Sequence, residues 1–116
     1  MDKLTHYQNI IINVLTDYYD LLRSATTIGA SEVRDELITD LLHNHFQLVS
    51  MGWQKQRFFH ETHIHIDIID NQIWVQQNNT EFDVVAEMIS KGIDKQAIVL
   101  GFIPPDARNL AGFTVA

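Results

Sequence analysis

The sequence predicts an α+β domain in which a mostly antiparallel sheet of about four strands packs against a long N-terminal helix and a second helix in the C-terminal half. Three observations predict this class. Apolar residues recur at helical spacing near the N terminus, β-rich segments separated by short turns fill the middle, and a capped helical segment follows Thr80. The 116 residues fit a single domain spanning 1–116, since domains typically contain about 50 to 250 residues.

The first element is predicted to be a long amphipathic helix. Its apolar residues recur in alternating steps of three and four, which places them on one face. They are Leu4, Tyr7, Ile11, Val14, Tyr18 and Leu21, and Ile10, Leu15 and Leu22 widen the stripe. Asp2 is a suitable N-cap, because its carboxylate can accept hydrogen bonds from the first turn. We expect the stripe to pack on the sheet, with a contact between two subunits of a homo-oligomer as the alternative.

The segment that follows the helix is ambiguous. Residues 24–29 are small and polar enough for a loop. Within residues 31–45, the spacing of Val33, Leu37, Leu41 and Leu42 is compatible with a helix. An edge strand followed by a turn near Asn44 is the other interpretation, and the family resemblance described below favours it.

Three strands are predicted in the middle of the chain. Residues 46–53 carry apolar side chains on both faces, as inner strands do. Residues 57–69 place Ile64, Ile66 and Ile68 on one face and polar residues on the other. Asp70 and Asn71 form a suitable two-residue hairpin turn, because Asn tolerates a positive φ. The third strand covers residues 72–76.

The second helix is predicted to begin at Thr80. Thr80 is the expected N-cap, and Asp83 supplies the carboxylate of a capping box. Phe82, Val85 and Ile89 are expected to line its buried face. Gly92 is expected to end it.

The last segment is apolar and is interrupted by two prolines. Residues 97–103 form a compact apolar run, and Pro104 and Pro105 stop it because proline cannot donate to a sheet ladder. Residues 113–116 are apolar as well, and we expect them to pack against the domain.

The charge distribution argues against direct binding of nucleic acid. The formal net charge is -7, and the eight basic residues are scattered along the chain. Binding DNA requires several cations on one face to displace counterions. A DNA-binding control factor is therefore the weakest of the functions considered.

Composition also limits the location and the chemistry of the protein. The chain has no cysteine, which excludes disulfides, thiolate nucleophiles and thiolate metal ligands. Neither a signal peptide nor an apolar stretch near the roughly 20 residues that span a bilayer is visible. We therefore expect a cytoplasmic protein that does not enter a membrane.

One strand face carries residues that could bind a metal. His63, His65 and Asp67 alternate along the predicted strand, so they share one face with about 7 Å between neighbours. Imidazole and carboxylate ligands suit zinc or iron. A polar face in contact with solvent explains the same pattern, so we assign no cofactor and no catalytic residue. A small metal-dependent enzyme is kept as the alternative function. His43 and His45 are interpreted as a polar turn.

Several segments together carry a family resemblance. They are Phe46-Gln-Leu with Gly52-Trp53, His65-Ile-Asp-Ile68, Ile73-Trp-Val-Gln76, Thr80-Glu81, Ile98-Val-Leu-Gly-Phe102 and Pro104-Pro105, with Arg57, Arg108 and the end Phe113-Thr-Val-Ala116. This combination resembles the XisI family of cyanobacterial fdxN element excision controlling factors. The chain departs from the family pattern at Asn71, where a glycine is usual, and at Phe46, where a tyrosine is usual.

The resemblance implies an accessory role in DNA excision. Members of the family are needed when an element is removed from a nitrogen-fixation gene during heterocyst differentiation, beside a recombinase and a companion excision protein. It implies no catalytic residue, so we expect contact with the companion factor, and only indirectly with the recombinase, instead of catalysis. Trp53, Arg57, Trp74 and Arg108 are the candidate contact residues, because Trp and Arg are enriched at interface hot spots.

Overall fold

The computed structural model describes residues 2–25 and 32–113, without the side chains of residues 25 and 109–111. Its elements are α1 (Lys3–Ala25), β1 (Arg34–Asp40), β2 (His45–Gln54), β3 (Arg57–Ile69), β4 (Gln72–Asn78), α2 (Val84–Ser90) and β5 (Ile98–Leu100), with short 3-10 helices at Lys95–Ala97 and Pro105–Ala111. The predicted α+β fold is confirmed. Its sheet has five strands, against the four or so expected from the sequence.

The strands lie in the sheet in chain order, β1-β2-β3-β4-β5. The first four form an antiparallel meander, and β5 pairs in parallel with β4 after α2 has crossed over. The β3–β4 turn has positive φ at both Asp70 (51°) and Asn71 (61°), as a two-residue turn of the type favoured in hairpins requires. The predicted turn is therefore confirmed.

Helix α1 covers one face of the sheet. The Asp2 carboxylate accepts a 2.7 Å hydrogen bond from the Thr5 backbone N–H, which confirms the predicted N-cap. The buried residues of α1 are Tyr7, Ile10, Ile11, Val14 and Leu15, and they join a core that includes Phe46, Leu48, Ile64, Ile66, Ile73 and Met88. The predicted stripe is thus correct over most of its length, but Leu21 at its end is exposed.

The ambiguous segment contains the edge strand β1. Its residues pair antiparallel with β2, from Arg34 opposite Met51 to Asp40 opposite His45. Asn44, with φ of 62°, closes the turn between the two strands, as the strand interpretation expected. The predicted loop 24–29 was wrong at Ser24 and Ala25, which lie in the last turn of α1, and residues 26–29 are outside the described residues.

The second helix begins later than predicted. The N-cap of α2 is Asp83, whose carboxylate accepts a 3.0 Å hydrogen bond from the Ala86 N–H. Thr80 instead shapes the preceding turn, where its hydroxyl donates to the Asn78 side chain and accepts from the Phe82 N–H. The prediction of Thr80 as the cap was wrong because both residues have capping side chains, and the helix starts where Val84 can reach the core.

The later start changes the buried face of α2. Val84 and Met88, four residues apart, are buried in the core. Of the predicted face, Phe82 and Val85 are partly buried against the core and Ile89 is exposed. Gly92, with φ of 112°, follows the helix end.

The C-terminal segment ends at the sheet edge. Strand β5 is only three residues long, and a turn with the two prolines follows it, as the proline positions predicted. Phe113 is partly buried against the core, while residues 114–116 lie outside the described residues. No helix of the described segments is long and apolar enough to cross a membrane.

The β2–β3 hairpin extends past β4. Strand β3 pairs with β4 only from Ile64 onward, so residues 57–62 pair with β2 on one side and with no described strand on the other. We call residues 49–62 the arm. Gly52 in the arm lies so close to residue 32 and Val33 that a Cβ would sit 2.9 Å from the Val33 Cα. The polypeptide before β1 is therefore packed directly on the arm.

Candidate functional site

A cluster of two histidines and one carboxylate lies where β2 begins and β3 ends. His45 Nδ1 and His65 Nε2 each lie 2.8 Å from the same oxygen of Asp67, Oδ1. We call these three residues the His–Asp–His cluster. Asp67 is only 7% exposed, His65 is half-buried and His45 is exposed. The cluster thus has a buried carboxylate and one histidine at the surface.

Strand register and a bulge assemble this cluster. Asp67 lies directly opposite His45 in the β2–β3 pair, so the two side chains share one face. The β3–β4 register shifts between His65 and Ile66, which leaves Gln76 as an extra residue on β4. The Gln76 amide donates to Asp67 Oδ2 at 3.3 Å. Both oxygens of the carboxylate therefore have partners.

The hydrogen bonds set the charge of the cluster. Burial raises the pKa of Asp67, but the hydrogen bonds from His45 and His65 outweigh burial and hold the pKa of Asp67 below its usual value. The hydrogen bond to Asp67 raises the pKa of His45. Asp67 is accordingly a carboxylate at neutral pH. Since a carboxylate only accepts hydrogen bonds, the two ring nitrogens that face it both carry protons.

The structure brings together two members of the predicted row, His65 and Asp67, and places His63 apart from them. The β2–β3 register shifts between Leu48 and Val49, and His63 has no paired residue on β2. Its Nε2 lies 2.7 Å from Ser50 Oγ instead. His45, which the sequence placed in a polar turn, takes the third position: one ligand atom from each of His45, His65 and Asp67 lies within 4.8 Å of the others.

The contact between His63 and Ser50 is not a nucleophile arrangement. The Ser50 hydroxyl is buried and donates its one proton to the carboxylate of Asp35. Ser50 Oγ can then only accept from His63. A serine nucleophile needs the reverse, with its proton directed at the histidine.

The four candidate contact residues separate into two pairs. Trp53 and Arg57 lie at the end of the arm, and both are exposed. The Trp53 ring meets Phe58 edge to face, with centroids 5.4 Å apart, and these two side chains are 51% and 53% exposed. The prediction did not include Phe58. The arm therefore ends in a half-exposed aromatic pair, and the exposed Arg57 precedes Phe58 in the chain.

Trp74 and Arg108 form the other pair, away from the arm. The Arg108 guanidinium lies 5.1 Å from the centre of the Trp74 ring, and Arg108 is buried. Its Nε donates 3.0 Å hydrogen bonds to the carbonyl oxygens of Leu100 and Ile103. These contacts hold the C-terminal segment on the sheet, so this pair offers little surface to a partner.

The comparisons with known proteins agree with this fold. The family model described as XisI protein matches residues 1–115. The chain belongs to the XisI family. The family resemblance inferred from the sequence is therefore confirmed.

Two solved XisI structures from Anabaena variabilis ATCC 29413 resemble the chain over nearly its whole length. The fdxN element excision controlling factor XisI is 31% identical, with a TM-score of 0.84, and the match covers 99% of this chain and 100% of that one. A XisI-like protein is 33% identical, with a TM-score of 0.86, and the match covers 97% and 99% of the two chains. No curated protein sequence matches the chain.

Proposed function

We propose that this protein is an accessory controlling factor for programmed excision of the fdxN element, and that it acts by contact with a companion excision factor. Membership of the XisI family and the name of its Anabaena relative support the excision role. The observation that carries the contact mechanism is the half-exposed pair of Trp53 and Phe58 at the end of the arm.

The aromatic pair has the properties of an interface anchor. Large aromatic side chains and arginine are enriched at hot spots, where they fill pockets of the partner. Trp53 and Phe58 hold each other edge to face, so their rotamers lose little freedom on binding. The close packing of Val33 against Gly52, the residue before Trp53, supports the arm next to the aromatic pair. A partner would therefore meet a preformed surface.

Charge defines the expected partner further. The net charge of -7 favours a companion with a basic surface, because complementary charge speeds association and makes it sensitive to salt. We propose that the DNA is contacted by the companion, or by the recombinase that acts with it, and not by this protein. The cytoplasm of a differentiating heterocyst is where such a complex would work.

Co-expression with the companion excision protein from the same genome tests the proposal. A tag on the companion should retain this chain, and native mass spectrometry should give a defined stoichiometry, including any homo-oligomer within it. The double variant W53A/F58A should lose the complex. F102A is the matched control, because Phe102 is 56% exposed and lies outside the arm. Failure of the wild-type chain to bind the companion would overturn the proposal.

A further inference from the structure

The His–Asp–His cluster holds two imidazole nitrogens and one carboxylate oxygen close enough together to coordinate a single ion. The three ligand atoms lie within 4.8 Å of one another, and the nitrogens already converge on Asp67 Oδ1 at 2.8 Å each. We propose that His45, His65 and Asp67 form a binding site for a divalent transition metal of the zinc class. This site goes beyond the partner contact proposed above and does not depend on it.

The geometry needs only a small adjustment to accept such an ion. Zinc binds nitrogen at about 2.0–2.1 Å and carboxylate oxygen at about 2.0–2.2 Å, so ligand atoms around a tetrahedral ion lie roughly 3.4 Å apart. The two N–O distances of 2.8 Å must therefore open by roughly half an ångström. His45 can supply this movement, because it is exposed and begins β2 directly after a turn.

Both imidazoles direct a ring nitrogen at the place that an ion would occupy beside Asp67. Each histidine directs an N–H at Asp67, so two partial positive charges already point at the carboxylate. An ion would replace these two protons. Each neutral imidazole would then keep its proton on the other ring nitrogen, Nε2 of His45 and Nδ1 of His65.

The surroundings select the class of metal. Two nitrogen ligands and one oxygen favour zinc and its first-row neighbours over magnesium and calcium, which prefer oxygen ligands alone. Gln76 binds the second oxygen of Asp67 and fixes the carboxylate, as outer ligands do in metal sites. Three protein ligands leave at least one position of a four-coordinate ion open, and the exposure of His45 puts that position toward solvent.

Trp74 provides a reporter for this site. Trp74 lies directly opposite Asp67 in the β3–β4 pair, so their Cα atoms are about 5 Å apart. Trp53 is eight residues from His45 along β2, which corresponds to about 27 Å. In the variant W53F, Trp74 is the remaining tryptophan. Quenching of its fluorescence by cobalt(II) would therefore report binding at the cluster.

Titration of untagged, chelator-treated W53F with cobalt(II) tests the proposal. The expected result is saturable quenching at micromolar cobalt, visible absorption bands of the bound ion, and reversal of both by zinc. The variant W53F/H45Q should bind at least tenfold more weakly, and its fold should survive because His45 is exposed. W53F/H60Q is the matched control, since His60 is an exposed histidine of β3 outside the cluster, and it should bind like W53F.

Two results would overturn the proposal. One is the absence of saturable cobalt binding in folded W53F, which would leave a cluster held by hydrogen bonds alone. The other is equal binding by W53F and W53F/H45Q, which would place the ion elsewhere. Loss of binding in D67N, with the circular dichroism spectrum of the folded protein retained, would support the proposal through the third ligand.

Discussion

The rings of Trp53 and Phe58 meet edge to face across the end of the β2–β3 hairpin, with their centroids 5.4 Å apart. The two residues are paired in the strand register, so the contact is fixed by the hairpin itself. Burial in this molecule does not explain the pair, because both side chains remain about half exposed. Burial of the two rings in an interface with another molecule would explain why they are paired at the surface.

The first prediction concerns Trp53 alone. Replacing it by alanine should raise the Kd for the companion by about 30-fold or more, which corresponds to the 2 kcal/mol or more typical of an interface hot spot. The free energy of unfolding should fall by only about 0.5–1.5 kcal/mol, the usual value of an aromatic pair. Isothermal titration and urea unfolding measure the two effects. A large loss of stability with unchanged affinity would make Trp53 a structural residue.

The second prediction concerns the buried Arg108. Replacing it by alanine should lower the free energy of unfolding by about 3 kcal/mol, because carbonyl oxygens of Leu100 and Ile103 lose a charged donor and Trp74 loses the guanidinium above its ring. Urea unfolding measures the change. The control is R57A, which removes an exposed arginine and should change stability by less than about 0.5 kcal/mol. Equal effects of the two variants would contradict the assigned role.

The third prediction compares two glycines with positive φ. At Gly52, with φ of 139°, an alanine would be strained and its Cβ would also meet the backbone of residues 32 and 33. At Gly92, with φ of 112°, the backbone strain remains but the nearest atom, His6 Nε2, is 4.0 Å away. G52A should therefore lower the melting temperature clearly more than G92A. Equal melting temperatures would mean that the contact between Val33 and the arm is loose in solution.

The fourth prediction concerns pH and Asp40. Hydrogen bonds from the His43 backbone and side chain hold the pKa of Asp40 below its usual value near 3.8. A lowered pKa in the folded state means that ionised Asp40 stabilises the protein above pH 3.8, and that this contribution disappears as the pH falls through the folded-state pKa. The difference in stability between wild type and D40N should therefore shrink on acidification below pH 4. A difference that grows in acid would contradict this sign.

Local pattern was sufficient to predict much of the fold. The periodicity of α1, with Asp2 before it, and the hairpin turn at Asp70 and Asn71 depend on interactions between near neighbours in the chain. The start of α2, in contrast, is not determined by near neighbours in the chain alone. Both Thr80 and Asp83 can cap a helix, and the choice depends on which following residues reach the core.

The candidate metal site could be predicted only in part. His65 and Asp67 are two residues apart in one strand, so alternation alone places them together. His45 comes from the neighbouring strand, and its pairing with Asp67 depends on hairpin register. The separation of His63 from His65 and Asp67 depends on a β-bulge, and the spacing of apolar residues in the sequence does not predict a bulge. The useful signal for His45 was its place immediately before the apolar start of β2.

Hydrogen exchange of the wild-type chain, with and without the companion excision factor, tests whether the arm is the surface that binds the companion. We expect amides of the arm, residues 49–62, to exchange more slowly in the complex, while those of α2 are unchanged. A complex that protects α2 and leaves the arm unchanged would contradict binding through the arm, and the absence of any complex would contradict a companion-binding role.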